Sequence, residues 1–258
     1  MKKHTRGRML IANWKMYPDT RAQAVGLARR TLSRVAKVHA PEVTTVLMPP
    51  ILYLPDVSRV LRGKPIHVGV QDVIPGATGS ETGAISMSMI TEFYAKHVLV
   101  GHSEIRARGE SLEAIREKVA ATLVAGYTPI VCVGECIRDD EGAFFDGIEE
   151  QVITACEGLS ARKAEQLVIA YEPLWAIGSG VVLTAHNLSE MRLFILKLLT
   201  ERFSAATARK IRILYGGSVE PESAAVLVHE TQVDGFLVGG ASHDPDAFAG
   251  ILEVLHTV

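Results

Sequence analysis

Short apolar runs recur along the chain, and most of them are unbroken. They fall at Met9–Trp14, Thr44–Met48, Ile66–Val70, His97–Gly101, Pro129–Val133, Leu167–Tyr171, Ile211–Tyr215 and Gly235–Val238. A strand with one wet face alternates apolar and polar residues. An unbroken run predicts a strand covered on both faces. Between these runs the spacing changes to that of a helix. Val25, Ala28, Leu32 and Val35 fall on one helical face, as do Leu112, Ile115, Val119 and Leu123, with Gly126 as a stop signal. Leu188, Met191, Ile195 and Leu198 form a third such face, and Pro221 opens a late helix at its first position. Repeated strand-then-helix units build either an open doubly wound sheet or a closed parallel barrel. Eight units in a chain of 258 residues favour a closed (β/α)8 barrel in a single domain, residues 1–258.

Composition narrows the function classes. The chain is 48% hydrophobic and 22% charged, with a net charge of −2, and no Pro/Gly/Ser-rich linker or charge run divides it. This balance gives no reason to expect a nucleic-acid or membrane partner. No window has the length of a membrane span, and the apolar run after the basic start is too short for a signal peptide. Three cysteines, Cys132, Cys136 and Cys156, make neither an even disulfide set nor a metal-ligand spacing, so a reducing, cytoplasmic setting is expected.

In a parallel barrel, chemistry collects at the C-terminal ends of the strands. The polar residues expected there are Asn13 and Lys15 after the first run and His102, Ser103 and Glu104 after the fourth. Glu172 follows the sixth run, Gly216-Gly217-Ser218 the seventh and Gly239-Gly240 the eighth. Each has an ordinary explanation alone. A strand-end Lys is usually solvated, a Glu-Pro pair is common in surface turns, and Gly-Gly is usually a tight turn. Together they place a cation, an imidazole, a carboxylate and Gly-containing loops around one mouth. Backbone N–H groups in the last three loops suit a phosphate dianion, and Lys15 adds a full charge near it. With the phosphate held, Glu172 is set to remove a proton from a carbon next to a carbonyl, and His102 and Asn13 to stabilise the resulting oxyanion. The loop Pro173–Gly180 follows the base directly, as a flap that excludes water would. No metal-ligand set and no dinucleotide fingerprint is present, so the expectation is a cofactor-free proton transfer on a small phosphorylated sugar.

The motifs in order resemble the triosephosphate isomerase family along nearly the full chain. They are Ala12-Asn13-Trp14-Lys15-Met16, Gly101-His102-Ser103-Glu104, Cys132-Val133-Gly134-Glu135, Ala170 to Gly180, Tyr215-Gly216-Gly217-Ser218-Val219, and Gly235 to Ser242. The resemblance implies a TIM barrel that interconverts dihydroxyacetone phosphate and D-glyceraldehyde 3-phosphate through an enediolate, in central carbon metabolism. It implies Glu172 as base, His102 as electrophile, Lys15 and Asn13 as substrate and oxyanion contacts, and Gly178, Ser218, Gly239 and Gly240 as phosphate-side donors. It implies no metal and no cofactor. It also implies a homodimer in which the third loop, near Thr82, docks beside the partner's site.

The chain departs from the family pattern at four places. Ile105 stands where a first Arg is usual, while Arg106 keeps the second. Ala84 replaces the Glu of Thr-Gly-Glu, Glu81 replaces an apolar residue, and Ser179 replaces Thr. The first three cluster where the family builds its dimer and leave the catalytic residues in place. Two other functions use the same scaffold. One is an isomerase of another short phosphorylated ketose, such as a tetrulose phosphate. The other is a barrel that only binds sugar phosphates, for which neither the base nor the histidine would be needed.

Overall fold

Each expected run forms a strand. The structure is a computed structural model that describes residues 7–76, 79–139, 141–176 and 183–258. The strands are β1 (Met9–Asn13), β2 (Thr44–Met48), β3 (Ile66–Val70), β4 (Ala95–Val100), β5 (Thr128–Val133), β6 (Val168–Tyr171), β7 (Arg212–Gly216) and β8 (Gly235–Val238). They pair in chain order, all parallel, and β8 closes on β1. The register sets Ile11 beside Val46 on one side and Leu237 on the other. The helices are α1 (Arg21–Val38), α2 (Leu54–Leu61), α3 (Ser103–Arg106), α4 (Leu112–Val124), α5 (Phe144–Ala155), α6 (Ala161–Ala164), α7 (Ala185–Arg202), α8 (Ala205–Ala208), α9 (Pro221–Thr231) and α10 (Pro245–Thr257).

The unbroken runs exist because both strand faces are buried. One face fills the barrel with Met9, Ile11, Val46, Met48, Leu99, Ile130, Cys132, Val168, Ala170, Leu214 and Leu237. The other face, including Leu10, Ala12, Val131, Ile169, Ile213 and Phe236, packs on the helices. Burying a side chain such as Ile11 contributes roughly 1.5–3 kcal/mol.

Local signals place the helix ends. Thr20 caps α1 in a reciprocal capping box with Gln23. Gly126 adopts φ +80° just past α4, and Pro221 sits in the first turn of α9. Only β2, β3 and β8 match expectation at both ends; six other strand boundaries differ by one residue and the start of β4 by two. β1 ends at Asn13, not Trp14, because the chain turns there: Lys15 adopts φ +52° and donates its N–H to the Asn13 side chain at 3.0 Å. β4 starts at Ala95, two residues before His97. The buried face of α1 is Ala24, Leu27, Ala28, Thr31 and Val35, with Val25 and Leu32 only half-buried beside it.

The N-terminal end of the barrel is unexpectedly polar inside. Alternation along β3, β4 and β7 turns His67, His97 and Arg212 inward, and the two imidazole rings lie 5.4 Å apart. His97 is buried and its Nδ1 has no partner. Burial first, then the charges of His67, Arg212 and Lys96, lower its pKa to about 3.

Candidate active site

The period of two along a strand decides which residues reach the C-terminal mouth. Ile11, Ala170, Leu214 and Leu237 face into the barrel, so Asn13, Glu172, Gly216 and Gly239 are the next inward positions. Their strand ends border one cavity of about 300 Å³, lined also by Lys15, His102, Ser103, Glu104, Ser218 and Gly240. That size suits a small ligand. Of the expected site residues, Asn13, Lys15, His102, Glu172, Ser218, Gly239 and Gly240 therefore meet in one place. Gly178 lies outside the described residues, as does the expected flap from residue 177 onward.

Glu172 is buried, and its N–H donates to the Val133 carbonyl at 2.8 Å, which extends the β5–β6 ladder by one step. Its carboxylate needs the space left by Gly216. A Cβ at that position would lie 2.7 Å from Glu172 Cγ and 3.3 Å from Oε1. Across the cavity floor, His102 Nε2 lies 3.4 Å from Glu172 Oε1. The N–H of Ser103 approaches Oε2 at 3.5 Å. Beneath them Cys132 is held as a thiol, its pKa raised by burial first and then by the Glu172 charge.

His102 precedes α3, and the N–H of Glu104 donates to its Nδ1 at 3.2 Å. An Nδ1 that accepts carries no proton. The imidazole is then neutral with its proton on Nε2, the nitrogen that faces Glu172 and the cavity.

Lys15 reaches Glu104 Oε1 at 2.8 Å. Burial pushes the Glu104 carboxyl up, but the hydrogen bond from Lys15 and its charge outweigh this and carry it below its ordinary value. The left-handed backbone of Lys15 is held at both its N–H and its carbonyl. Asn13 accepts its N–H, and Gln71 Nε2 donates at 2.9 Å both to the Lys15 carbonyl and to the Met48 carbonyl. The Lys15 stem also lies against Gly239, where a Cβ would come within 3.3 Å of Cε. Ser242 ties the same region together, donating to Gly239 at 2.5 Å and approaching the Asn13 carbonyl at 3.5 Å.

The segment after Glu172 is anchored by Glu135. This buried carboxylate accepts from the Tyr171 hydroxyl at 2.8 Å and from Trp175 Nε1 at 2.7 Å, and its backbone carbonyl accepts from Leu174. Gln71, Ser242, Gly216 and Glu135 carried no signal of a supporting role in the sequence pattern. Gly216, Glu135 and Ser242 stood inside recognisable motifs, but their contacts join elements distant in the chain. Among the described residues, no group of three or more His, Cys, Asp or Glu side chains is arranged to hold a metal ion. No described helix is long and apolar enough to cross a membrane.

The arrangement pairs a carboxylate with a neutral N–H donor and sets a cation and Gly-rich backbone at the other side of a small cavity. Residues 8–255 match the family model described as triosephosphate isomerase. A protein named triosephosphate isomerase from Rhodopirellula baltica is 40% identical over 250 residues, covering 95% of this chain and 97% of that protein. Proteins of the same name from Carboxydothermus hydrogenoformans and Endomicrobium trichonymphae are each 38% identical, over 246 and 247 residues, with the same shares covered.

Proposed function

The chain belongs to the triosephosphate isomerase family, and we propose on that premise how its own residues carry the reaction. The chemistry is the interconversion of dihydroxyacetone phosphate and D-glyceraldehyde 3-phosphate, an aldose–ketose isomerisation and a step of glycolysis. The observation that carries the assignment of roles is the Glu172–His102 pair, 3.4 Å apart, in the cavity that Lys15 also lines.

In this account Ser218, Gly239 and Gly240 hold the phosphate, with Lys15 supplying positive charge. Glu172 takes a proton from the carbon beside the carbonyl. The electron pair of that C–H bond forms the enediolate double bond, and the carbonyl oxygen becomes an oxyanion. His102, through Nε2–H, and Asn13 donate to the oxygens as that charge develops. A neutral imidazole in this role is the feature this family is known for. Glu172 then returns its proton to the neighbouring carbon, the hydroxyl proton having passed between the two oxygens, and no atom is gained or lost. Lys15 is bound to Glu104 at 2.8 Å and so sits at the cavity with its charge already oriented.

The protein works as a homodimer in this proposal. Met16 is 87%, Tyr17 57%, Leu52 79% and Met89 52% exposed, on the loops that follow β1, β2 and β3 near the mouth. Apolar residues concentrated on adjoining loops mark an interaction surface. Glu81 is exposed, as a carboxylate at a wet part of such a contact should be. The free cysteines and the glycolytic substrate support a cytoplasmic setting. A coupled steady-state assay comparing triose and tetrulose phosphates tests the function, with the triose phosphates expected to dominate in kcat/KM.

A further inference from the structure

Gln151, in α5, is assigned no part in binding substrate, yet its side chain meets the backbone beneath the base. Its Oε1 accepts the N–H of Gly134 at 2.9 Å, and its Nε2 donates to the Gly134 carbonyl at 3.2 Å. We propose that Gln151 is a positioning residue that fixes the base, Glu172, relative to the electrophile, His102. The proposal rests on the isomerase function above.

Gly134 is where the end of β5 supports the base. The flanking residues pair with the Glu172 segment. Val133 accepts from Glu172 at 2.8 Å and Glu135 accepts from Leu174 at 3.0 Å. A Cβ on Gly134 would lie 1.8 Å from the Glu172 carbonyl oxygen, so the two backbones touch with no slack. A residue gripped at both its N–H and its C=O by one planar amide has little freedom to rotate. Any rotation of Gly134 would pass directly to Glu172.

The same amide reaches the histidine side. Gln151 Oε1 also accepts from Arg106 Nη1 at 2.5 Å, while Arg106 Nη2 approaches the Gly134 carbonyl at 3.5 Å. Arg106 is the last residue of α3, whose first N–H groups hold His102 and approach Glu172. One side chain therefore joins the support of the electrophile to the support of the base. A relative drift of about 1 Å between reacting groups costs on the order of a hundredfold in rate. If Gln151 merely anchored α5, its loss would lower stability and leave turnover alone.

The test is steady-state kinetics of the full-length protein, well below its Tm, for wild type, Gln151→Met and Gln151→Glu, together with inhibition by inorganic phosphate. Met keeps the length and removes all three contacts. Glu keeps the acceptor for Gly134 N–H and Arg106. The expected result for Gln151→Met is a kcat lower by about tenfold or more, with KM and phosphate inhibition within about twofold. Gln151→Glu, which keeps two of the three contacts and loses the donor to the Gly134 carbonyl, should recover part of the loss. A kcat for Gln151→Met within about twofold of wild type overturns the proposal, as does a loss confined to KM or an equal loss in Gln151→Glu. Should Gln151→Met fail to fold, Gln151→Asn, which retracts the amide by one methylene, is read in the same way. A wild type without isomerase activity would instead overturn the function itself, so the two failures are told apart.

Discussion

His102 Nε2 lies 3.4 Å from Glu172 Oε1, although the two residues come from different strand ends, β4 and β6. In the proposed mechanism this contact brings an acceptor for a carbon-bound proton next to a donor for the oxygen that becomes negative. Both are buried, and each is held by backbone: Glu172 by Val133, and His102 by the N–H of Glu104. Groups fixed before substrate arrives need no reorganisation during the reaction.

Shortening the base tests that fixed geometry. Glu172→Asp withdraws the carboxylate by one methylene while keeping its charge. The expected kcat is lower on the order of a hundredfold with a modest change in KM. Near-native turnover would remove Glu172 from the role of base.

Crowding the base from behind should act in the same way. In Gly216→Ala the new methyl would lie 2.7 Å from Glu172 Cγ. The side chain can swing aside, so the fold should survive with little change in Tm. The base, however, leaves its place, and kcat should fall by about tenfold or more. Unchanged kcat in a folded Gly216→Ala protein would show that the Glu172 rotamer is not critical.

The barrel was legible because its strands are covered on both faces, which turns most of them into unbroken apolar runs such as Pro129–Val133. The convergence of the candidate site residues on one cavity was legible because they sit at strand ends within motifs. Boundaries were less so. Lys15 takes a left-handed turn held by Asn13 and Gln71, so the end of β1 came one residue early. On α1, Ala24 and Thr31 are buried where larger Val25 and Leu32 stood out in the pattern. Supporting contacts were hidden altogether. Gln71 meets Lys15 across 56 residues and Gln151 meets Arg106 across 45, and no local spacing records such pairings. The inward-facing His97 was hidden inside an expected strand.

That histidine predicts an acid-sensitive stability term. In the folded protein its pKa is depressed to about 3, below the ordinary value of 6.5, by burial and then by His67, Arg212 and Lys96. Between these values the unfolded chain binds the proton and the folded protein does not. The contribution is therefore fully present above about pH 6.5 and is lost as pH falls toward about 3, by up to about 1.4 kcal/mol per pH unit. Urea unfolding across this window should show a shallower pH dependence for His97→Gln than for wild type. Parallel curves would refute the assignment.

Assembly is tested by dilution. The dimer should persist at micromolar protein, because rim ion pairs of the kind missing at Ala84 and Ile105 are worth only about 0–1 kcal/mol each. Sedimentation should then show dissociation and falling activity together as protein is diluted toward nanomolar. A fully active monomer at micromolar concentration would contradict the dimer.

Hydrogen exchange at carbon tests the central claim most directly. Dihydroxyacetone phosphate incubated with the protein in D2O, and followed by proton NMR, should lose one hydrogen of its hydroxymethyl carbon to solvent deuterium while glyceraldehyde 3-phosphate forms. Glu172→Gln should abolish both events, since it keeps the shape of the side chain and removes the base. Absence of exchange and conversion with wild type, or exchange undiminished in Glu172→Gln, would contradict the account.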